Sequence, residues 1–216
     1  MMQPHEIEQT SFAIIRSEMG NHAFTKEELA VVVWVIHATA DFEFRDVLRF
    51  CPDDGPCHAI RAGIGALRSG CSIITDVRMV QVGISERLLS PFGGQVVCDI
   101  GHPAVHAAAR EQALTRSTIA MRRNEGRIEG GIVAIGNAPT ALLEVIRLVR
   151  EEGVRPSLIV GVPVGFVQAV ESKAELLALR DVPSITAVGR KGGSSVAVAI
   201  MNALLRLATY EEGGLA

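Results

Sequence analysis

The hydrophobic pattern of the chain changes near position 70. Before it, apolar residues recur at helical spacing. "SFAIIRSEMG" reads as a short amphipathic helix capped by Ser11 and stopped near Gly20. "FTKEELAVVVWVIHATAD" opens on Thr25 and Glu28, a capping box, and predicts a helix over 26–39. "CHAIRAGIGALRSG" predicts a third helix ending at Gly70. After position 70, short buried strands alternate with amphipathic helices. "CSIITDV" ends in Asp76, and "GGQVVCDI" ends near Asp99. "GHPAVHAAAREQALTRSTIAMRRNEG" is helical, with a break around Thr115 to Ser117. Then come the strands "GGIVAIGNAP", "RPSLIVGVPVG" and "PSITAVGRKGG". Each is followed by a helix: "PTALLEVIRLVREEG" with Gly153 as its stop, "FVQAVESKAELLALR" and "SSVAVAIMNALLRLA".

This alternation over 71–208 predicts an α/β fold: three layers, a mainly parallel sheet of five strands with helices on both faces. The N-terminal helices pack on or beside it. No low-complexity linker or internal repeat divides the chain, so 1–216 reads as a single domain with frayed ends at about 1–6 and 209–216.

Composition sharpens this picture. The chain is 48% hydrophobic but only 4% aromatic, so its core is built from Val, Ile, Leu and Ala, as buried parallel strands require. A net charge of −3 provides no global basic field for nucleic acid. The longest apolar run falls well short of the ~20 residues that a membrane span needs. "MMQPHEIEQT" has no basic or apolar leader character, which points to a soluble cytoplasmic protein. The four cysteines, Cys51, Cys57, Cys71 and Cys98, read as free thiols. "CPDDGPCH" could form a metal loop through Cys51, Cys57 and His58, but it lacks a second ligand pair. His102 and His106 have metal-ligand spacing on one helical face, but with neither HExxH nor a third ligand they read as a surface pair.

Ligands of open α/β sheets bind at the carboxyl ends of the strands. Three of those ends are glycine-rich here: "AIGNAPT", "VGVPVGF" and "VGRKGGSS". Tight turns need glycine in any case, but three in succession favour a binding crevice. Arg190 and Lys191 in the last of them suit carboxylates. Two phosphate-site readings fail on spacing: "AGIGALRSG" lies in a helix, and "GRKGGSS" does not match GxxxxGK[ST].

The remaining oddity is His37. It shares a helical row with Ala30, Val33 and Trp34, so it is expected on the apolar face. Burial there disfavours imidazolium, whereas Asp41 and the helix C-terminal carbonyls favour it. An imidazole so balanced is either a general acid or a core histidine satisfied by Asp41 or a carbonyl.

Seven segments in order decide between these readings: "SFAIIRSE", "VIHATAD", "GCSIITDVRMVQVGI", "TRS", "VAIGNAPTAL", "GVPVGFVQAVESK" and "GRKGGSS". Together, from about Ser11 to Leu207, the chain resembles the precorrin-8X methylmutase (precorrin isomerase) family of cobalamin biosynthesis. The resemblance implies a homodimer with sites near its interface. It also implies an isomerase that moves a methyl group from C-11 to C-12 of precorrin-8X, or of its cobalt form, to give hydrogenobyrinate or its cobalt equivalent. No added cofactor and no protein-bound metal are expected. The family's catalytic histidine falls on His37, and its substrate contacts fall on Ser11 and Arg116. Position alone adds Thr75, Asp76, Asn137, Arg190, Gly192 and Gly193, with Arg16 as either a further clamp or a surface residue and Asp41 as a group orienting His37. Many members read His-Ala-Cys-Gly-Asp where this chain has His37-Ala38-Thr39-Ala40-Asp41, and Ala40 adopts positive φ less readily than glycine. The competing reading is a carrier that binds a corrinoid without chemistry. A nucleotide-binding enzyme would need the phosphate-loop spacing that the chain lacks.

Overall fold

A computed structural model describes residues 3–51 and 58–209. Helices α1 (Pro4–Glu18), α2 (Lys26–Thr39) and α3 (Phe44–Val47) precede strand β1 (Leu48–Cys51) and helix α4 (His58–Arg68). Strand β2 (Ser72–Thr75) leads through α5 (Arg78–Gly83) and α6 (Glu86–Leu89) to β3 (Gln95–Val97). Helices α7 (Pro103–Glu111), α8 (Arg116–Arg123) and α9 (Glu125–Ile128) then precede β4 (Ile132–Ile135) and α10 (Pro139–Arg147). The last part runs β5 (Leu158–Gly161), α11 (Ala169–Ala178), β6 (Ser184–Ala187) and α12 (Ser194–Thr209).

The six strands form one sheet in the order β1-β6-β5-β4-β2-β3. All pairs are parallel except β1 with β6, where Leu48 faces Ala187 and Cys51 faces Ser184. Side chains alternate across a strand. Ile73, Ile132, Leu158 and Ile185 therefore face one layer, formed by α1, α2, α4 and α12. Their neighbours Ile74, Val133 and Ile159 face the other, formed by α7, α8, α10 and α11. Burying each such side chain contributes about 1.5–3 kcal/mol relative to exposing it. Strands β4, β5 and β6 are buried along their whole length; β4 and β5 therefore read as continuous apolar runs, whereas β6 also buries Ser184 and Thr186.

The expected alternation is present, with five differences. The sheet has six strands, because β1 follows α3 directly and its four residues are too few to show a period. Helix α1 begins at Pro4, so Ser11 lies within it instead of capping it, and Arg16 sits in its last turn. Its start carries the Gln3 amide donating to Glu6 Oε2 at 2.7 Å, so residues 4–6, expected as part of a frayed end, are helical here. The stretch between β2 and β3, which carries no clear period, forms two short helices. The helix expected from Phe166 starts three residues later, after Gln168 takes a left-handed turn at φ 60°.

The other features match. The capping box of α2 is present: the Thr25 amide donates to Glu28 Oε2 at 2.9 Å, and the Glu28 amide donates to Thr25 Oγ1 at 3.3 Å. The break at 115 is also present, with Thr115 capping α8. Of "CPDDGPCH", residues 52–57 and the His58 side chain lie outside the described residues, as do residues 1–2 and 210–216.

Candidate active site

Helix α2 sends Val31, Val32, Val35 and Ile36 into the core, where it packs chiefly on α12. The row Ala30, Trp34 and His37 lies at the rim of that contact, and His37 is exposed rather than buried. Only α1 reaches it. Ser11 Oγ lies 2.8 Å from His37 Nδ1. Phe12, the next residue, sets its ring edge-on to His37 (5.1 Å between centroids) and to Trp34 (4.9 Å). Trp34 stands edge-on to His37 at 5.7 Å. The imidazole is thus held by one hydroxyl and two aromatic rings.

The end of α2 is fixed separately. Ala40 is left-handed, at φ 53° and ψ 27°, and its amide closes the helix on Ile36 O at 2.7 Å. Asp41 does not make the expected bond to His37. Its Oδ2 accepts from Lys191 Nζ at 2.6 Å, and its Oδ1 accepts from the Glu43 amide at 3.0 Å. Lys191 also pairs with Glu43 at 2.9 Å. The lysine hydrogen bond holds the Asp41 carboxyl below the usual carboxylate range, and the two acids hold the Lys191 ammonium above its ordinary value. This tie places the His37 end of α2 at the loop leaving β6, the carboxyl edge of the sheet.

That edge is braced from within. Asp76, at the exit of β2, is fully buried and accepts the amides of Gly136, Asn137 and Ala138 at 3.1, 2.8 and 2.6 Å. It shapes the loop after β4 and is closed to any ligand. Burial holds its carboxyl above the usual carboxylate range, and the three amides offset part of that rise. Thr75 is likewise fully buried, with Oγ1 donating to Val97 O at 3.3 Å. Both side chains, expected at the substrate from their position, are buried and turned to partners within the protein. Gly192, at φ 157°, lies so close to Val162 O that a Cβ would stand 2.2 Å from it. Beneath that loop, Lys173 is 1% exposed and donates through Nζ to Lys191 O at 2.7 Å. Burial lowers its ammonium to about 8.

Asn137 and Arg190 do present exposed side chains at this edge, and the Arg190 guanidinium lies 5.3 Å from the Phe166 ring centroid. Arg116 is exposed at the start of α8, in the opposite layer from His37, with Nη1 3.4 Å from His106 Nε2. Its helix start reaches the same edge, because Thr115 bonds Thr140 at 3.0 Å just beyond the loop after β4. Arg16 is exposed on α1. His102 caps α7, accepting the Ala104 amide on Nδ1, rather than pairing with His106 on a helical face. Among the described residues no group of three or more His, Cys, Asp and Glu side chains is placed to hold a metal, and no helix is long and apolar enough to cross a membrane.

Two hollows meet at His37. One, of about 370 Å³, has an apolar wall of Ile7, Ile14, Ile36 and Phe42 with Ser11 at its side. The other, of about 250 Å³, lies toward Trp34, Ser195 and Arg206. Sequence reasoning missed Phe12, Lys173 and Arg206. The adjacency of Phe12 to Ser11 is its only sequence signal, and Lys173 shows only as a cation among the apolar residues of "AVESKAELL". An imidazole at an apolar wall, beside amides and guanidinium groups, can exchange a proton with a flat apolar ligand that carries anionic arms.

Comparison with known proteins identifies the family. The precorrin-8X methylmutase family model matches residues 6–207. A cobalt-precorrin-8 methylmutase of Priestia megaterium is 48% identical over 97% of this chain and 92% of its own length. One from Leptospira interrogans is 44% identical over 94% of this chain and 93% of its own length. A crystal structure of precorrin-8X methylmutase from Thermus thermophilus superposes with a TM-score of 0.86 at 41% identity, covering 97% of this chain and 99% of that one. By sequence and by fold, the chain belongs to the precorrin-8X methylmutase family.

Proposed function

We propose that the chain is an intramolecular methyltransferase that moves a methyl group from C-11 to C-12 of precorrin-8X or its cobalt form, with His37 as the general acid. The observation that carries this reading is the 2.8 Å contact between Ser11 Oγ and His37 Nδ1 at the mouth of an apolar hollow. A serine hydroxyl can donate to a neutral imidazole and, after rotating, accept from an imidazolium. His37 can therefore lose and regain a proton without rearranging its support. In the imidazolium, Nδ1–H donates to Ser11 Oγ and the transferable proton sits on Nε2; its loss leaves a neutral ring that still donates from Nδ1 to Ser11. Protonation of the macrocycle assists the 1,5-sigmatropic methyl shift. The reaction is an isomerisation, so the proton returns to His37 by the end of the cycle. The Ile7–Ile14 wall holds the ring and keeps water from competing as a proton source.

Arg116, Arg190, Asn137 and the amides near Gly192 and Gly193 are placed to receive the acidic arms. The names of the Priestia and Leptospira relatives favour cobalt already in the ring, carried as part of the substrate. A homodimer with sites near its interface is supported by the exposed apolar cluster at the exit of β5, where Phe166 is 85% and Val167 80% exposed. The free thiols Cys71 and Cys98 suit a reducing cytoplasm.

The test is an absorbance time course with metal-free and cobalt-bearing substrate, wild type beside His37→Ala. Conversion by wild type with at least a hundredfold loss in the variant supports the reading. Equal conversion by both removes His37 from the chemistry. Binding of either ring without conversion by wild type leaves a carrier.

A further inference from the structure

The smaller hollow beside His37 has features that the methyl shift does not use. Arg206 lines it, with its guanidinium 4.4 Å above the Trp34 ring centroid. The Nε of that guanidinium is buried without a hydrogen-bond partner, and the nearest carboxylate oxygen, Glu8 Oε2, stands 3.8 Å from Nη2. Ser85 and Ser195 also line the hollow. Ser85 is held in place by its backbone: its amide donates to Asn202 Oδ1 at 2.9 Å, while Asn202 Nδ2 donates to Gly83 O at 3.0 Å. Asn202 is thereby used up as a scaffold, leaving the two hydroxyls and the guanidinium as available donors. No acidic side chain lines the hollow.

We propose that this hollow is a carboxylate subsite, in which Arg206, Ser85 and Ser195 hold one acidic arm of the macrocycle and so set which edge of the ring faces His37. The inference rests on the methylmutase reading and deepens it. A volume of about 250 Å³ admits a flexible arm but not the ring, and His37 lines both this hollow and the apolar one. A ring on the apolar wall thus extends its edge toward Arg206. A carboxylate there completes a guanidinium that the protein leaves under-used. The stacking of Arg206 on Trp34 keeps the cation in place before the ligand arrives.

Trp34 is the sole tryptophan of the chain, so its emission reports this subsite directly. The experiment titrates wild type, Arg206→Gln and Ser195→Asp with hydrogenobyrinate, and with the same ring after its carboxylates are converted to amides. Ser195 is exposed in the first turn of α12, where an acidic residue suits the helix dipole, so Ser195→Asp should fold and still repel an anion. The expected result is at least tenfold weaker binding of the free acid by both variants, under twofold change for the amide, and a rise in KM that exceeds any fall in kcat. Wild-type affinity for the free acid in both variants overturns the subsite. If wild type shows no quenching by hydrogenobyrinate, the methylmutase reading itself fails. The subsite is then judged on propane-1,2,3-tricarboxylate alone: a saturable change in Trp34 emission, lost in Ser195→Asp, supports it, and no change overturns it.

Discussion

Replacing Asp76 by asparagine tests how the carboxyl edge of the sheet is held. The carboxylate receives three amides, Gly136 on Oδ1 and both Asn137 and Ala138 on Oδ2, and it is fully buried. A group surrounded by donors fits as an anion, because a protonated carboxyl would set its own O–H against an N–H. Asparagine keeps one acceptor. Its best orientation leaves that oxygen with Asn137 and Ala138 and turns the NH₂ toward the Gly136 amide. One buried donor then loses its partner, at about 1–3 kcal/mol, and two bonds lose their charge assistance. The sum is a loss of about 3 kcal/mol. With a urea slope of about 2–3 kcal/mol per molar, the unfolding midpoint falls by about 1 M. The assay is urea denaturation followed by both circular dichroism and Trp34 emission, whose coincidence checks that one transition is being read. A midpoint within 0.2 M of wild type (on the order of 0.5 kcal/mol) would mean that Asp76 is protonated in the fold, and would refute the reasoning.

Three further outcomes follow from the site. Ser11→Ala removes one hydrogen bond worth about 1 kcal/mol from His37 and should lower kcat about fivefold without unfolding the protein; an unchanged kcat would show that the bond does not orient the ring. Lys191→Met frees Asp41, so thermal stability should drop at neutral pH. Because the Asp41 carboxyl is depressed in the fold, that deficit is present above its unfolded value of about 3.9 and fades as pH falls through the lower folded value, which melting curves at pH 7 and pH 3 would show. Ala40→Gly relieves a left-handed alanine at φ 53° and should stabilise the fold by about 0.5–1 kcal/mol, read as a higher urea midpoint; a lower midpoint would show that the turn is not strained.

The parts of this molecule that were legible in its sequence are those set by local pattern. Strands β4 and β5 announce themselves because both faces are covered, so every position is apolar; β6 mixes Ile185 and Ala187 with buried Ser184 and Thr186. The capping box of α2 and the break at Thr115 are local hydrogen-bonding devices within a few residues. What could not be read depends on distant segments. The helical wheel puts His37 in a row with Trp34, but it does not say that α12 buries the adjacent row and leaves this one at the rim. Asp41 lies one helical turn from His37 and is the obvious local partner, but Lys191, far along the chain, captures it, and Ser11 from α1 takes its place. Asp76 stands at a strand end, where ligands bind. Only the folded loop after β4 shows that its oxygens are already occupied.

These displacements share an electrostatic logic. Two carboxylates at this edge are satisfied inside the protein, Asp41 by an ammonium and Asp76 by three amides. The guanidinium groups of the candidate site are not: among the described residues Arg116 and Arg190 form no ion pair, and Arg206 reaches an acid only at 3.8 Å. A chain with a net charge of −3 thus presents a locally cationic rim by neutralising its own acids there, without adding an excess of bases. The same arrangement leaves His37 with a hydroxyl partner rather than a carboxylate. If His37 is the proton donor, as proposed, a carboxylate partner would hold the imidazolium and resist that transfer, and it would also repel acidic arms on the ring. On that proposal, the imidazole on a greasy helix stands where the protein supplies shape and an adaptable hydrogen bond, and where anionic charge would be left for the substrate to bring.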